Sequence, residues 1–402
     1  MIITDRWKFL KYCFDFFYKK VGFILRITGI VCEYNPLHSG HKKQLDLLRS
    51  QGHGIVCVMS GNFVQRGHPA IFDKMRRAKA AVLCGADLVL ELPVNYALSS
   101  AEAFAAGGVQ ILSKLCDNIC FGAETANAEA LMTTAKVLLS AEFSEKLRAH
   151  LDAGLSFPAA RQAAVADCGM NATILETPNN ILAVEYCKAI LAQNSSLTPL
   201  PIHRPGSYHD TAADINDPSA TAVRQLLYHG ESWQNFVPTE AAQVFDDAPI
   251  HSLQNGESAM LARLRTMRDE EFESLPFGSE GLWRKLMHAS REMATLEQIA
   301  TATKSKRYTR SRIDRMILCA YLGITEQMLQ TDAPYARVLA FNDTGRAILS
   351  QAKDSGYFVN IGQKTGHSFE LLEHRAGALY GLMATTPEAP DAERKCRVFY
   401  PK

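Results

Sequence analysis

The chain has 402 residues, 47% of them hydrophobic and 21% charged, with 43 Lys+Arg against 42 Asp+Glu. That length suggests two domains with cores of their own, and the balanced charge excludes disordered and supercharged classes. No run approaches the roughly 18 apolar residues that a membrane-spanning helix requires, so a cytoplasmic protein with no membrane partner is expected.

Residues 1–25 mix Trp7, Phe9, Phe14, Phe16 and Phe17 with Lys8, Lys11, Lys19 and Lys20, and lack the uninterrupted apolar stretch of a secretory signal. They are expected to be an extension left by an over-long start assignment, because organised sequence begins at Arg26. Ile27 to Cys32 reads as a buried strand, Glu33 to Gly40 as a turn, and His41 to about Arg49 as a helix. A β-branched run from Ile55 to Met59 predicts a second strand, Phe72 to Leu83 a helix with basic residues on one face, and Asp87 to Leu92 a third strand. Ala101 to Leu115 is helical, Asn118 to Phe121 is a fourth strand, and Ala126 to Gly154 reads as one long helical stretch. Leu200 to Arg204 is strand-like, Gly206 to Asp210 a loop, and a helix from about Ser219 closes the pattern near Gly230. Strands alternating with helices of this length predict a mostly parallel sheet covered on both faces. Beyond it, Glu240 to Arg268, Gly281 to His288 and Leu296 to Leu322 read as helices. Arg337 to Phe341 and Tyr357 to Val359 read as short strands of a small α+β tail. The expected division is therefore 1–25, an α/β domain over 26–230, and a mainly helical α+β region over 231–402.

The ten cysteines stand singly, with no C-x-x-C pair and no zinc-like spacing, so reduced thiols and no protein-held metal are expected. The strongest chemical signal is His38-Ser39-Gly40-His41. Chance gives roughly 0.02 matches to H-x-G-H in a chain of this composition, and this one falls between a strand and a helix. Ligands of parallel sheets bind at the carboxyl ends of strands, with phosphates against a helix N-terminus. Two imidazoles there can donate to phosphate oxygens and stabilise negative charge building at an α-phosphate. Gly40, with no Cβ, lets a nucleotide approach the backbone.

This pattern resembles the H-x-G-H signature that class I adenylyl- and cytidylyltransferases share with class I aminoacyl-tRNA synthetases. Their usual second element, a Ser/Thr-rich turn opening a helix with an Arg, is matched by Ser219-Ala220-Thr221-Ala222-Val223-Arg224. Ser219 or Thr221 can cap the helix and bind phosphate, and Arg224 can hold the β- or γ-phosphate. Walker A, G-x-G-x-x-G, G-x-S-x-G and H-E-x-x-H motifs are absent.

Longer blocks make the resemblance specific. They are Gly29 to His41, Met59-Ser60-Gly61-Asn62-Phe63-Val64-Gln65-Arg66-Gly67, Pro69 to Lys74, Asp87 to Pro93, Phe121-Gly122-Ala123-Glu124, Pro178 to Leu182 and Lys306 to Ile313. Together they resemble the bacterial tRNA(Met) cytidine acetate ligase family, from about Arg26 to near Arg346 and more loosely to the end. The resemblance implies a Rossmann-like nucleotidyltransferase (HUP-type) domain followed by a tRNA-binding region. It implies an enzyme that activates acetate as acetyl-adenylate and passes the acetyl group to N4 of the wobble cytidine of elongator tRNA(Met). The substrates are then ATP, acetate and that tRNA, with Mg²⁺ entering on the ATP phosphates.

By the same resemblance the ATP site spans Val31, Cys32, Glu33, Tyr34, Asn35, Pro36, Leu37, His38, Ser39, Gly40, His41, Lys42, Lys43 and Gln44. Gly122, one of Asn179 and Asn180, and Arg204 complete it. His38, His41 and Lys42 would stabilise the transition state. Lys42 and Lys43 stand where many members carry apolar residues, and Gln44 where members often carry His. For the tRNA, Lys304, Lys306, Arg307, Arg310, Arg312 and Arg315 put six cations into twelve residues, with Tyr308 among them as a base-stacking candidate. Helical spacing would place Arg307 with Arg310 on one face. The basic stretch Lys74 to Lys79 is a second candidate for the anticodon arm. A small-molecule adenylyltransferase is the alternative, disfavoured by the basic C-terminal half. A tRNA-binding protein with a vestigial nucleotide site is another, disfavoured by the intact His38, Gly40, His41 and Arg224.

Overall fold

A computed structural model describes residues 25–204, 218–330, 332–352 and 355–401. The expectations for the first 24 residues and for the loop from Gly206 to Asp210 lie outside that range. Strands β1 (Ile27–Cys32), β2 (Gly54–Ser60), β5 (Leu88–Leu92), β6 (Asn118–Ala123) and β7 (Thr198–His203) are parallel, in the order β7-β6-β1-β2-β5. Between β2 and β5 a two-stranded hairpin, β3 (Phe63–Val64) and β4 (His68–Pro69), stands apart from the sheet.

Period-two alternation sorts the strands onto two cores. Val56 and Val58 of β2 join one cluster, while Ile55, Cys57 and Met59 join the cluster on the other face. Helices α1 (Ser39–Ser50) and α2 (Lys74–Leu83) supply Leu45, Leu48, Ala78 and Ala81 to the second face. Helices α3 (Ala101–Leu112) and α4 (Pro178–Ala192) supply Val109, Leu112 and Val184 to the first. Close packing there needs Gly29 in β1, since a Cβ would lie 2.4 Å from Leu112 Cδ2. Helix α5 (Ala220–His229) closes the α/β part. A third core unites α6 (Leu253–Thr266), α7 (Leu296–Thr303), α8 (Arg310–Leu322) and, farther along, helix Ser368–Tyr380, and it admits Phe63, Val94 and Leu98 from the first half.

Several expectations change. The long stretch Ala126 to Gly154 is two helices, Ala128–Leu138 and Ala141–Asp152, because the Ser140 hydroxyl accepts from Phe143 N and starts a new one. Glu240 to Arg268 breaks into Thr239–Phe245 and α6, again at a serine cap, Ser252. Leu296 to Leu322 breaks at 304–309, so Arg307 lies in a turn and shares no helix face with Arg310. The two strands assigned to a small tail are β8 (Ala336–Phe341) and β9 (Phe358–Asn360), and they extend the main sheet: β8 pairs antiparallel with β5. An unpaired edge at β5 would leave buried backbone groups unsatisfied, and a distant apolar strand completes it.

The return of the chain to the sheet is locked by buried charge. Lys74 Nζ lies 2.6 Å from Glu91 and 2.7 Å from Glu393, and Arg337 bonds Glu91 at 2.6 Å, Glu373 at 2.9 Å and Glu393 at 3.2 Å. Burial pushes the Glu373 carboxyl up to about 7, the Glu91 charge adding to it and Arg337 and Lys74 opposing. Its folded pKa thus exceeds the unfolded carboxylate value of about 4.3. The associated stability is complete below that value and is lost as pH rises to about 7. Glu373→Gln, which keeps an oxygen for Val94 N, is expected to remove that decline, so that urea midpoints at pH 5 and pH 8 draw together. An unaltered pH dependence in the variant would place the titrating group elsewhere.

Candidate active site

At the carboxyl end of β1 the backbone turns through Tyr34, whose φ is 43°, and a cis Asn35–Pro36 bond into α1. His38 is the N-cap, not a residue inside the turn. Its Nδ1 accepts from Gly40 N at 3.1 Å, and His41 Nδ1 accepts from His38 N at 3.3 Å, a capping box made of two imidazoles. An Nδ1 that accepts carries no proton, so each neutral ring has its N–H at Nε2. The ring centroids are 3.8 Å apart, and Tyr34 meets His41 edge-on at 5.0 Å. The helix N-terminus and two Nε2–H groups together form a donor set suited to an anion.

Cations surround the pair. Burial pushes His38 down to about 3, with Arg204 and then Arg224 adding to the shift. Burial also lowers His41, with His38 and Arg204 adding. An anion placed here would relieve that repulsion. Arg224, on α5, donates from Nη1 to Asn35 O at 2.7 Å and from Nη2 to Thr221 Oγ1 at 3.1 Å, while Ser219 Oγ caps α5 by accepting from Ala222 N. The two motifs, far apart in sequence, therefore meet at the Asn35 carbonyl. Ser39 Oγ donates to Phe236 O, and Lys42 is ion-paired with Asp46 one turn on. Gln44 reaches Cys120 Sγ at 3.3 Å, at the neighbouring strand β6. Lys43 is exposed, Val31 and Cys32 are half-buried at the strand end, and Leu37 is fully buried beneath the loop.

The far wall is the end of β6 and the start of α4. A Cβ on Gly122 would lie 3.2 Å from Arg204 Cδ, so the glycine leaves room for that side chain. Glu124 accepts from Thr177 Oγ1, Asn179 Nδ2 and Asn180 N at 2.8–2.9 Å. Burial acts to raise the Glu124 carboxyl, and these bonds bring it below its ordinary value. Asn180 spends Oδ1 on Thr125 N and Nδ2 on Thr125 Oγ1. Of the asparagine pair, Asn180 thus fixes the turn.

Arg77 escaped the sequence reading. It was grouped with a basic surface from Lys74 to Lys79, yet Arg77 is 0% exposed and Lys74 is buried in the ion cluster. Arg77 donates to the carbonyls of Glu33, Phe72, Ser60 and Gly61, tying the ends of β1 and β2 together. The signal was present: positions 74, 77, 78 and 81 form one inward helical face shared with alanines. That stretch is therefore unsuited to an RNA contact, apart from Arg76, paired with Asp73, and Lys79, which lies over the Phe399 ring.

The basic cluster near 304–315 is also more internally paired than its composition implied. Arg307 bonds Glu280, and Arg310 bonds Glu297 and Asp314. Arg312 donates to Phe277 O and Ser279 Oγ and covers the Tyr308 ring, whose hydroxyl is held by Glu280. Tyr308 and Arg315 are buried, Arg315 donating to Gln65 O and lying over the Phe277 ring, while Lys304, Lys306 and Arg307 are exposed. Among the described residues no group of three or more His, Cys, Asp or Glu could hold a metal ion, the nine described cysteines are free, and no helix is long and apolar enough to cross a membrane.

Comparison with known proteins gives a consistent answer. The model of the HIGH Nucleotidyl Transferase family matches residues 25–395. The tRNA(Met) cytidine acetate ligase of Clostridium novyi (strain NT) is 37% identical over 351 residues, covering 82% of this chain and 88% of the relative. That of Clostridium acetobutylicum is 35% identical over 373 residues, covering 87% and 92%. Among solved structures, Thermotoga maritima TmcAL in an apo form superposes with a TM-score of 0.86 at 28% identity, over 94% of this chain and 99% of the other. The same protein bound with alpha-thio ATP gives 0.84.

Proposed function

This chain belongs to the HIGH nucleotidyl transferase family and, within it, to the tRNA(Met) cytidine acetate ligases, and from that premise we propose how its residues divide the work. It is an ATP-dependent ligase that joins acetate to the N4 amine of the wobble cytidine, position 34, of elongator tRNA(Met). A carboxylate oxygen of acetate attacks the α-phosphorus of ATP in line, and pyrophosphate leaves. The cytidine amine then attacks the acetyl carbonyl carbon, loses a proton, and expels AMP. Activation resides in the mixed anhydride, so no enzyme nucleophile takes part.

The observation that carries the first step is the pair of neutral imidazoles capping α1 between Arg204 and Arg224. Their Nε2–H groups and the helix N-terminus stabilise charge at the α-phosphate, and Arg224 with Ser219 and Thr221 holds the leaving pyrophosphate. Lys42 joins them by exchanging Asp46 for a phosphate oxygen. The loop from Val31 to Gln44, Gly122, Asn179 and Arg204 enclose the nucleotide, with Asn180 as support. Mg²⁺ bound to the ATP phosphates would screen their charge, and the imidazole N–H and guanidinium donors here suit phosphate oxygens and not a protein-held ion. Residues 26–230 carry ATP and acetate and 231–402 hold the tRNA, a functional division, since β8 and β9 return to the catalytic sheet. The exposed Lys304, Lys306 and Arg307, with Arg310 and Arg312, meet the RNA backbone.

The test incubates the protein with ATP, labelled acetate and unmodified tRNA(Met), followed by nucleoside mass spectrometry. N4-acetylcytidine carrying the label is expected. Protein that binds the tRNA and forms AMP yet leaves cytidine unlabelled would overturn the assignment.

A further inference from the structure

Between the hairpin turn and helices α6, α7 and α8 lies a cavity of about 180 Å³ that has no role so far. It is several times the roughly 30 Å³ share of one water and smaller than the roughly 300–1,000 Å³ sites of drug-sized ligands, so it suits a single ring system. Met260, Leu296, Ala300 and Ile317 give it an apolar floor. Gly67 closes one side with bare backbone: its φ is +85°, and a Cβ there would lie 2.5 Å from Arg315 N.

The charged groups on the wall are mostly acids. Glu257, Glu297 and Asp314 stand against one guanidinium, Arg310, so carboxylate charge is in excess. Arg310 spends three of its five N–H donors on them, Nε on Asp314 Oδ1 and the two Nη on Glu297. Asp314 is only 7% exposed, and burial raises its carboxyl above the ordinary value while Arg310 opposes. With Oδ1 bonded to Arg310, Oδ2 is the acceptor left for an occupant. Glu257, whose Oε1 accepts from Leu296 N at 2.8 Å, offers a second. Such a wall repels phosphate, pyrophosphate and acetate alike. It suits a flat, largely apolar group bearing N–H donors. A free ammonium has the donors, but the apolar floor would strip its water without replacing it.

Position narrows the choice to RNA. Helices α7 and α8, which wall the cavity, are joined by the turn that carries the exposed Lys304, Lys306 and Arg307. In the hairpin, two residues before Gly67, Gln65 N donates to Glu33 Oε1 of the nucleotide loop at 2.8 Å. The cavity thus shares one wall with the basic turn and another with the hairpin bonded to the ATP site. The codon AUG fixes the methionine anticodon as CAU, so the base after the wobble cytidine is adenine, whose N6 amine is a donor. The uracil that follows has no amine. We propose that the cavity is a base-reading pocket, which takes that adenine out of the stack and holds its amine on Asp314. This rests on the ligase reading above and adds the middle anticodon base to what the enzyme reads.

Two RNAs test it: unmodified tRNA(Met), and the same tRNA with purine riboside, adenosine without its amine, after the wobble cytidine. Filter binding gives Kd for wild type, Asp314→Asn and Ala300→Leu, with thermal unfolding to check that each variant is folded. Wild type should bind the purine tRNA roughly 10-fold more weakly, the loss of one hydrogen bond to a charged group. Asp314→Asn keeps an oxygen for Arg310 Nε but turns an amide NH₂ toward the cavity. It should lose a similar factor on unmodified tRNA and no more than about twofold further on the purine tRNA, the non-additivity of groups in contact. Ala300→Leu narrows the cavity without touching a polar group and should also weaken unmodified tRNA. Acetate-dependent ATP–pyrophosphate exchange without RNA should stay near the wild-type rate in both variants. Equal Kd for the two tRNAs on wild type would leave the cavity without this base. Additive losses in Asp314→Asn would make Asp314 a support for Arg310. Spermidine bound by wild type and not by Asp314→Asn, with equal tRNA affinities, would assign the cavity to an ammonium. Each of these overturns the proposal. Absence of acetylated cytidine with wild-type protein would instead remove the ligase reading, and the binding comparison is read without it.

Discussion

Replacing His41 with alanine is expected to lower the rate of acetyl-adenylate formation by roughly 10²- to 10³-fold, the loss typical of one preorganised donor to a developing oxyanion. Affinity for tRNA should change little, because the substitution leaves the exposed cations Lys304, Lys306 and Arg307 in place. The substitution also removes the acceptor for His38 N, so part of the loss could stem from a frayed cap. His41→Asn separates the two effects: an amide oxygen can still accept from the backbone, as asparagine does at helix starts. If His41→Asn keeps the fold but activates acetate as poorly as alanine, the imidazole acts on the phosphate. Near wild-type activity in the asparagine variant would reduce His41 to a capping group. Burst measurement of acetyl-AMP in single-turnover quench, with tRNA affinity measured in parallel, reads both.

The second large effect concerns Arg77. Arg77→Met keeps much of the apolar stem but strands the carbonyls of Glu33, Ser60, Gly61 and Phe72 in the interior. An orphaned buried polar group costs about 1–3 kcal/mol, so a total loss of about 3–5 kcal/mol in unfolding free energy is expected, with some relaxation. Glu33 and Gly61 directly follow β1 and β2, so the KM for ATP should rise even at temperatures where the variant is fully folded. Arg77→Lys should recover only part of both, since an ammonium group cannot span four carbonyls arranged around a planar fork. Urea unfolding and nucleotide titration at low temperature check this. A variant with full stability and unaltered ATP affinity would mean that the nucleotide loop is held by other contacts.

Much of the site was legible because its chemistry is local. The strand–H-x-G-H–helix order fixes where the imidazoles stand, and the cap at Ser219 follows from the residue types around a helix start, whereas histidine is no usual cap and His38 read as part of the turn. The pairing of Arg224 with the loop was implied by the resemblance alone, through the Ser219–Arg224 element that accompanies H-x-G-H. What could not be read was pairing across long separations. Whether Arg77 faces solvent or four carbonyls depends on strands 16 to 44 residues away. Lys74 looked like a surface cation because its partner Glu393 lies at the other end of the chain. The same reason hid β8: an apolar run of six residues reads as a strand anywhere, and only the open edge of β5 decides where it pairs. Charge composition misled most at 304–315, where acids from Glu280 and Glu297, distant in sequence, neutralise cations that look free in a linear count.

The roles of His38 and His41 require that acetate attack ATP at the α-phosphorus. With acetate labelled by ¹⁸O in both oxygens and unmodified tRNA(Met) as acceptor, attack at the α-phosphorus leaves one labelled oxygen on the AMP released after transfer. Mass spectrometry of the nucleotide products should find ¹⁸O in AMP and none in pyrophosphate. Label in inorganic phosphate, with ADP as the nucleotide product, would place the attack at the γ-phosphorus and contradict the role given to His38 and His41.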